Sequence, residues 1–276
     1  MRIIALVLVL LCGGLLIAGT VEFAPWGSPH ARQQVYLSPY FIEHSMEDTS
    51  VPNIVTAVLA DYRGYDTMYE TAVIFTAGMA CFFLLRCLKR MEPQERVYRH
   101  LVTGMVLHVK KPSVPKPPEG LFEEIDPLWT PYDIIIKTLG RFLIPPIQVF
   151  GLYVIAHGHH SPGGGFQGGV ILGASVILLA LCYDLRSEVE RLRESLSGIC
   201  SAAGVFIYAG VGALCLALGS NFLDYSALAP ILRVDPVAAR SLGIFFVEVG
   251  VGLAVMATMV AIYNNLASAG LYDQGL

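Results

Sequence analysis

The chain has 276 residues, 55% of them hydrophobic and only 14% charged, with a formal net charge of −4 and a mean hydropathy of +0.61. Soluble domains carry about a quarter charged residues, so this composition excludes an ordinary globular protein. It points to an integral membrane protein, and nothing in it calls for a nucleic-acid partner.

A helix crosses the hydrocarbon layer with about 20 mostly apolar residues. Ile3 to Gly19 is the first such run. Arg2 ahead of it suits a signal peptide, but Leu11 before Cys12 is too large for a lipoprotein cleavage site, and the run is read as a retained anchor. Gly19 to Ser50 carries no assignable motif. Asn53 to Ala60 is apolar but too short to cross, which fits an interfacial segment, a re-entrant one or the start of a broken helix.

That run leads through Asp61-Tyr-Arg-Gly-Tyr-Asp-Thr-Met-Tyr-Glu70 into a second span, Thr67 to Leu85. Asp66 and Thr67 suit a helix cap, and Arg63 can pair with Asp61 or Asp66 to hold the turn, a structural role set against an ion-path one for Asp61, Arg63 and Asp66. Glu70 falls in the first turn, where a carboxylate meets the positive end of the helix dipole. Below the interface it needs a partner or a water-lined path, which makes it an ion-path candidate.

Arg86 to Asp133 is polar, and four prolines between Pro112 and Pro118 predict an extended, polyproline-like cytoplasmic linker. Four more spans follow. Leu139 to Ala156 carries Pro145 and Pro146 and is expected to kink there. The others are Phe166 to Tyr183, Gly198 to Leu218 and Leu242 to Ile262. The expected fold is an all-α integral membrane protein with six transmembrane helices, two plus four. It divides into a two-span unit (1–90), a linker (91–132) and a four-span domain (133–276).

Between the third and fourth spans lies His157-Gly-His-His-Ser-Pro-Gly-Gly-Gly-Phe-Gln-Gly-Gly169, a shaped turn in which five of the last seven residues are glycine. Gly163 to Gly168 matches the form G-x-G-x-x-G, but a membrane helix precedes it instead of a strand, which rejects dinucleotide binding. His157, His159 and His160 lack a fourth ligand at suitable spacing, so no metal site is assigned. They fit hydrogen-bonded turn residues or a proton or cation relay, with His159 and His157 the outer-side candidates. The six cysteines include no C-x-x-C pair, so no cofactor is assigned and any redox chemistry belongs to another chain.

Glu248 lies six residues into the last span, several ångströms inside hydrocarbon at about 1.5 Å per residue. A charge there costs at least about 2.5 kcal/mol. It must face a protein partner or a cavity, or stay protonated, so it serves either an interhelical hydrogen bond or a proton or sodium route. Lysine and arginine favour the cytoplasmic side. An inside N-terminus places 14 of the 18 basic residues there and makes both termini cytoplasmic, in the inner membrane of the cell.

The segment Gly158-His159-His160-Ser161-Pro162-Gly-Gly-Gly-Phe166-Gln-Gly-Gly169, with its apolar span ending in Tyr183-Asp184-Leu185, resembles the B subunit of Mrp-type multisubunit sodium/proton antiporters. The pattern there is roughly Gly-His-Asn-Ala-Pro-Gly-Gly-Gly-Phe-x-Gly-Gly, so His160 and Ser161 depart from it. Phe246-Val-Glu248-Val-Gly250 is similar to that protein's last span, and the likeness covers about Asp133 to Asn265. Asn53 to Glu70 and the span after it resemble the C-terminal tail of the antiporter A subunit. In related membrane-bound hydrogenases the same unit is a separate E-type subunit.

The resemblance implies a non-catalytic membrane subunit in a complex that moves sodium and protons, with other membrane subunits and in some cases a hydrogenase or other redox module as partners. Asp61, Arg63, Asp66, Glu70, His159, Asp184 and Glu248 fall on motif positions of the resemblance. Two other readings stay open. One is a scaffold in which the glycines and acids only pack neighbouring subunits. The other is a membrane enzyme using the histidines as acid and base, which no nucleophile or paired carboxylates accompany.

Overall fold

A computed structural model describes residues 2–31, 33–87, 96–109, 118, 120–125, 134–183 and 192–268. The chain forms two compact units, Met1–Ser45 and Met46–Leu276. The first unit holds α1 (Arg2–Gly19), apolar all round, and a π-helical turn at Gln33–Leu37. Helix α2 (Ser38–Thr49) runs from it into the second unit.

In the second unit, Ile54–Ala57 forms the short helix α3 and Val58–Tyr62 a π-helical turn. The chain breaks at Arg63 and resumes as α4 (Gly64–Cys87). The stretch is therefore a broken helix, interrupted at Arg63. Four further helices are α5 (Ile134–Ala156), α6 (Gly165–Cys182), α7 (Glu194–Ala217) and α9 (Pro236–Ala267). A 3₁₀ turn (Tyr225–Leu228) and the one-turn helix α8 (Ala229–Leu232) lie between the last two. Among the described residues, five helices are long and apolar enough to cross a membrane, and Leu6–Gly19 is a shorter apolar one. The chain is a mostly helical, multi-pass integral membrane protein.

Two expectations need correction. The segment 91–132 is not simply an extended linker, and the chain is not all-α. Arg96–His100 (β1), Val106–Val109 (β2) and Phe122–Ile125 (β3) form an antiparallel sheet in the order β2-β1-β3. Val97, Tyr98, Val106 and Val109 are strand-forming residues, masked in the sequence by the prolines that follow β2. The proline-rich stretch 110–117 itself lies outside the described residues. The second correction concerns α9, which begins six residues before the expected Leu242 because Asp235 caps it through the Ala238 amide and Pro236 suits the first helical position. Helix α5 passes through Pro145 and Pro146 as one helix.

Helix α9 lies along α6 and α7, α4 packs against α9, and α5 packs against α6. The core joins the two halves of the sequence. Ala57 and Ala60 from the broken helix share it with Tyr208, Tyr225, Ile244, Val247 and Val251. Glycines set the close crossings. A side chain at Gly169 would stand 2.6 Å from the Gly252 carbonyl, and one at Gly250 would stand 2.9 Å from the Gly204 carbonyl. Such backbone-to-backbone approach is how helices associate in lipid, where packing replaces the hydrophobic drive.

Substitution Gly204→Ala would place a methyl group against the Ala254 amide and Cβ, whereas Gly198 has nothing within 4 Å. Gly204→Ala is expected to cost about 1–3 kcal/mol. Gly198→Ala is expected to leave stability equal or higher. Thermal melting of the detergent-solubilised chain compares them.

Candidate functional site

The broken helix leaves carbonyls at its end without helical partners, and side chains reach them. Thr67 Oγ1 donates to the Leu59 carbonyl at 2.8 Å and Tyr225 Oη to Ala60 at 2.8 Å, while Tyr208 Oη donates to the carbonyl of Gly64, the first residue of α4, at 2.8 Å. Both tyrosines are at most 1% exposed, and their hydroxyls also interact with each other. Burial pushes the Tyr225 phenol far above its ordinary range, so it stays a hydrogen-bond donor.

The other end of the broken helix grips the histidine turn. Asn53 Nδ2 donates to the Gly158 and Ser161 carbonyls, both at 2.8 Å, and Thr56 Oγ1 donates to Gly158 at 2.9 Å. The Asn53 amide donates to the His159 carbonyl at 2.9 Å. Buried His159 bonds through Nε2 to the Ser241 carbonyl at 2.8 Å. His157 is half-buried and stacks on Tyr153 at 4.9 Å, with exposed His160 at 5.3 Å.

After the histidines the chain turns through Gly163 and Gly164, whose φ values of 147° and 152° strain any side chain. Helix α6 then starts at Gly165, whose amide donates to Oε2 of Glu248. The carboxylate is 8% exposed and meets the positive end of the α6 dipole. Glu248 is the thirteenth residue of the 32-residue α9, so it lies toward the middle of the helix.

Asp61 belongs to a second polar contact on α9. Its carboxylate takes a bidentate pair from Arg240, Nε and Nη2 each at 2.8 Å, and is only 9% exposed. Burial raises its carboxyl above the usual range while the Arg240 hydrogen bonds pull it down. Arg240 also lies 5.9 Å from the Tyr62 ring, and Tyr62 donates to Asp48 at 2.5 Å. Among the described residues Arg63 therefore pairs with Asp66, not with Asp61. Nor do Asp66 and Thr67 cap α4, since that helix begins earlier, at Gly64. Asp66 sits in its first turn and Thr67 serves the Leu59 carbonyl.

The structure thus gathers Asp61, His159 and Glu248 along the first half of α9 and leaves Asp66 and Arg63 on an outer turn. Glu70 is elsewhere, on the exposed side of α4, with no hydrogen-bond or ion-pair partner among the described residues. Asp184 lies outside the described residues. Among those described, no cluster of three or more His, Cys, Asp or Glu side chains is placed to hold a metal ion. Sequence reasoning missed Arg240, Asn53, Tyr208 and Tyr225 as site residues. A polar-tipped Tyr208 inside an apolar span is the one signal that was available.

The family model described as "Domain related to MnhB subunit of Na+/H+ antiporter" matches residues 135–261, and the model of the E subunit of MBH, MbhE, matches residues 2–99. The B subunit of the Na(+)/H(+) antiporter of Bacillus subtilis is 30% identical over 133 residues, 46% of this chain and 92% of the relative. Two solved structures share the fold. A chain of the archaeal membrane-bound sulfane sulfur reductase, a respiratory membrane complex, has a TM-score of 0.56 at 23% identity, covering 96% of this chain and 97% of that one. A chain of the Mrp complex from Dietzia sp. has a TM-score of 0.55 at 24% identity, covering 95% of this chain and 26% of that one. The chain belongs to the family of MnhB-related subunits of sodium/proton antiporters, and carries ahead of that domain a unit of the MbhE type.

Proposed function

We propose that this chain is a non-catalytic membrane subunit of a multisubunit, antiporter-type complex and contributes to a sodium or proton path through it. Family membership supports the complex. The observation that carries the path is Glu248, a buried carboxylate at mid-helix in a membrane span, met by a helix N-terminus instead of a basic side chain. An acid so placed can exchange a proton or a hard monovalent cation without breaking an ion pair. Glu70 supports the assembly. A carboxylate on the exposed face of a membrane helix needs a donor or a water path, and among the described residues this chain supplies no donor. Tyr208 donates to the Gly64 carbonyl and holds the broken helix in place. His159, bonded to Ser241, and His157, stacked on Tyr153, are outer relay positions in this reading. Asp61, Arg63 and Asp66 shape the turn that presents α4.

The proposed arrangement keeps six spans, two in a unit 1–90 and four in a domain 133–276, with the segment 91–132 and both termini on the cytoplasmic side of the inner membrane. The partners are other membrane subunits, with a hydrogenase or other redox module as the driving arm where one is present. A purely structural reading also has an observation behind it. Asp61 and Arg240 form a bidentate pair across 179 residues of sequence and fasten the MbhE-type unit to the antiporter domain.

The two readings separate by experiment. In vesicles carrying the whole complex, Glu248→Gln keeps assembly and loses most of the cation-coupled pH change. Normal transport by an assembled Glu248→Gln complex removes Glu248 from the path. Arg240→Gln instead leaves Asp61 buried without its cation and is expected to destabilise the chain by about 3 kcal/mol, the low end for a buried pair. The double substitution Asp61→Asn, Arg240→Gln recovers part of that loss in a melting experiment. Additive losses count against the fastening role.

A further inference from the structure

The turn after α5 brings two histidine rings together. His157 and His160 stand three residues apart in a closed turn, where the His160 amide donates to the His157 carbonyl at 3.0 Å and the Ser161 amide to the same carbonyl at 3.1 Å. Residues so spaced on a helical turn share one face. Their ring centroids are 5.3 Å apart, with 48° between the planes.

The turn is held from behind. The Gly158, His159 and Ser161 carbonyls accept from Asn53 and Thr56 at the start of α3, and the His157 ring stacks on Tyr153 at 4.9 Å. Against this fixed backbone the ring nitrogens of the pair are uncommitted. Among the described residues neither His157 nor His160 makes a ring hydrogen bond, whereas His159 between them bonds through Nε2 to the Ser241 carbonyl. His160 is exposed and His157 half-buried, so the pair opens to solvent. Side-chain rotation alone lets His160 turn a nitrogen toward its neighbour.

Two imidazoles on one tetrahedral ion, each bound at about 2.0–2.1 Å, have centroids about 5 Å apart. The observed separation matches that arrangement. Imidazole suits borderline transition cations such as Zn²⁺, Ni²⁺ and Cu²⁺, whereas hard cations take oxygen ligands. We propose that His157 and His160 form a two-histidine site for a divalent transition cation of the zinc class, with water filling the remaining positions. No third His, Cys, Asp or Glu side chain joins them among the described residues, so the ion is a reversible effector and not a resident cofactor.

The same turn runs on through Gly163 and Gly164 to Gly165, whose amide meets Glu248. An ion bridging the two rings stiffens that approach, so transport by the complex slows when the site fills. This consequence rests on the reading of Glu248 as part of the path, and the site itself does not.

The copper complex of iminodiacetate tests the site, because its chelator leaves positions for two imidazoles. Electron spin-echo spectra of the assembled complex are expected to show two imidazoles on one copper ion. His160→Asn is expected to remove that signal and weaken binding about tenfold or more, since even an outer partner of a metal ligand contributes that much. His44→Asn, on α2, is expected to change neither. A one-imidazole spectrum in the unsubstituted complex, or equal copper binding with His160→Asn, overturns the site. In vesicles, Zn²⁺ is expected to slow cation-coupled pH change severalfold in the unsubstituted complex and to spare His160→Asn, which transports normally without zinc. Equal zinc sensitivity of the two overturns the effect on transport. Copper binding is read without transport, so a complex that binds the probe yet shows no zinc effect separates failure of the path reading from failure of the site.

Discussion

Helix α6 reaches α9 only because the residues at its start have no side chains. The Gly165 backbone presses against Glu248, leaving no room for a Cβ, and its amide donates to the carboxylate. Other crossings follow from this one. Gly169 meets Gly252 one turn further along, Gly151 and Gly168 bring α5 against α6, and Gly204 and Gly250 bring α7 against the opposite side of α9. A lone carboxylate in a span is costly. Here a helix N-terminus supplies its donor, and the glycines let that donor come within reach.

The same requirement governs the broken helix. A buried carbonyl without a helical partner is costly, so irregular backbone survives inside a protein only where other groups satisfy it. Tyr225 and Thr67 do so for Ala60 and Leu59, Tyr208 adds a bond to the Gly64 carbonyl at the start of α4, and Asn53 takes up the carbonyls of the histidine turn. Three of these four contacts cross between the MbhE-type unit and the antiporter domain. The two units are therefore bound by backbone hydrogen bonding as well as by apolar packing, and the Asp61 to Arg240 pair adds a third tie of a different kind. Asp224 caps the 3₁₀ turn that carries Tyr225, and hydrogen bonds from Ser220 and Ser226 hold its carboxyl below the usual range.

Much of this was legible in the sequence because it rests on local rules. Apolar length places the helices, the glycine run marks the turn before α6, and an acid among apolar residues singles out Glu248. What was not legible depends on separation. No rule of spacing joins Asp61 to Arg240 or Gly64 to Tyr208 across 179 and 144 residues. Arg63 stands two residues from Asp61 and is the obvious local partner, yet the bidentate geometry goes to the half-buried guanidinium on α9. The sheet was obscured for the opposite reason. Its strands are four or five residues long and lie beside prolines, so composition over the whole segment outweighs their pattern.

Glu248 and Glu70 differ in how they are completed, and that difference bears on how the protein works. Glu248 has its donor within the chain, so its geometry is set before any neighbour arrives. Glu70 faces outward from α4, whose apolar surface is largely uncovered. Tyr208, on α7, commits its hydroxyl to the Gly64 carbonyl, where α4 begins, and α7 packs along the helix that carries Glu248. The buried acid is thus completed inside the chain, whereas in the proposed complex the carboxylate on α4 is left for a neighbour to meet.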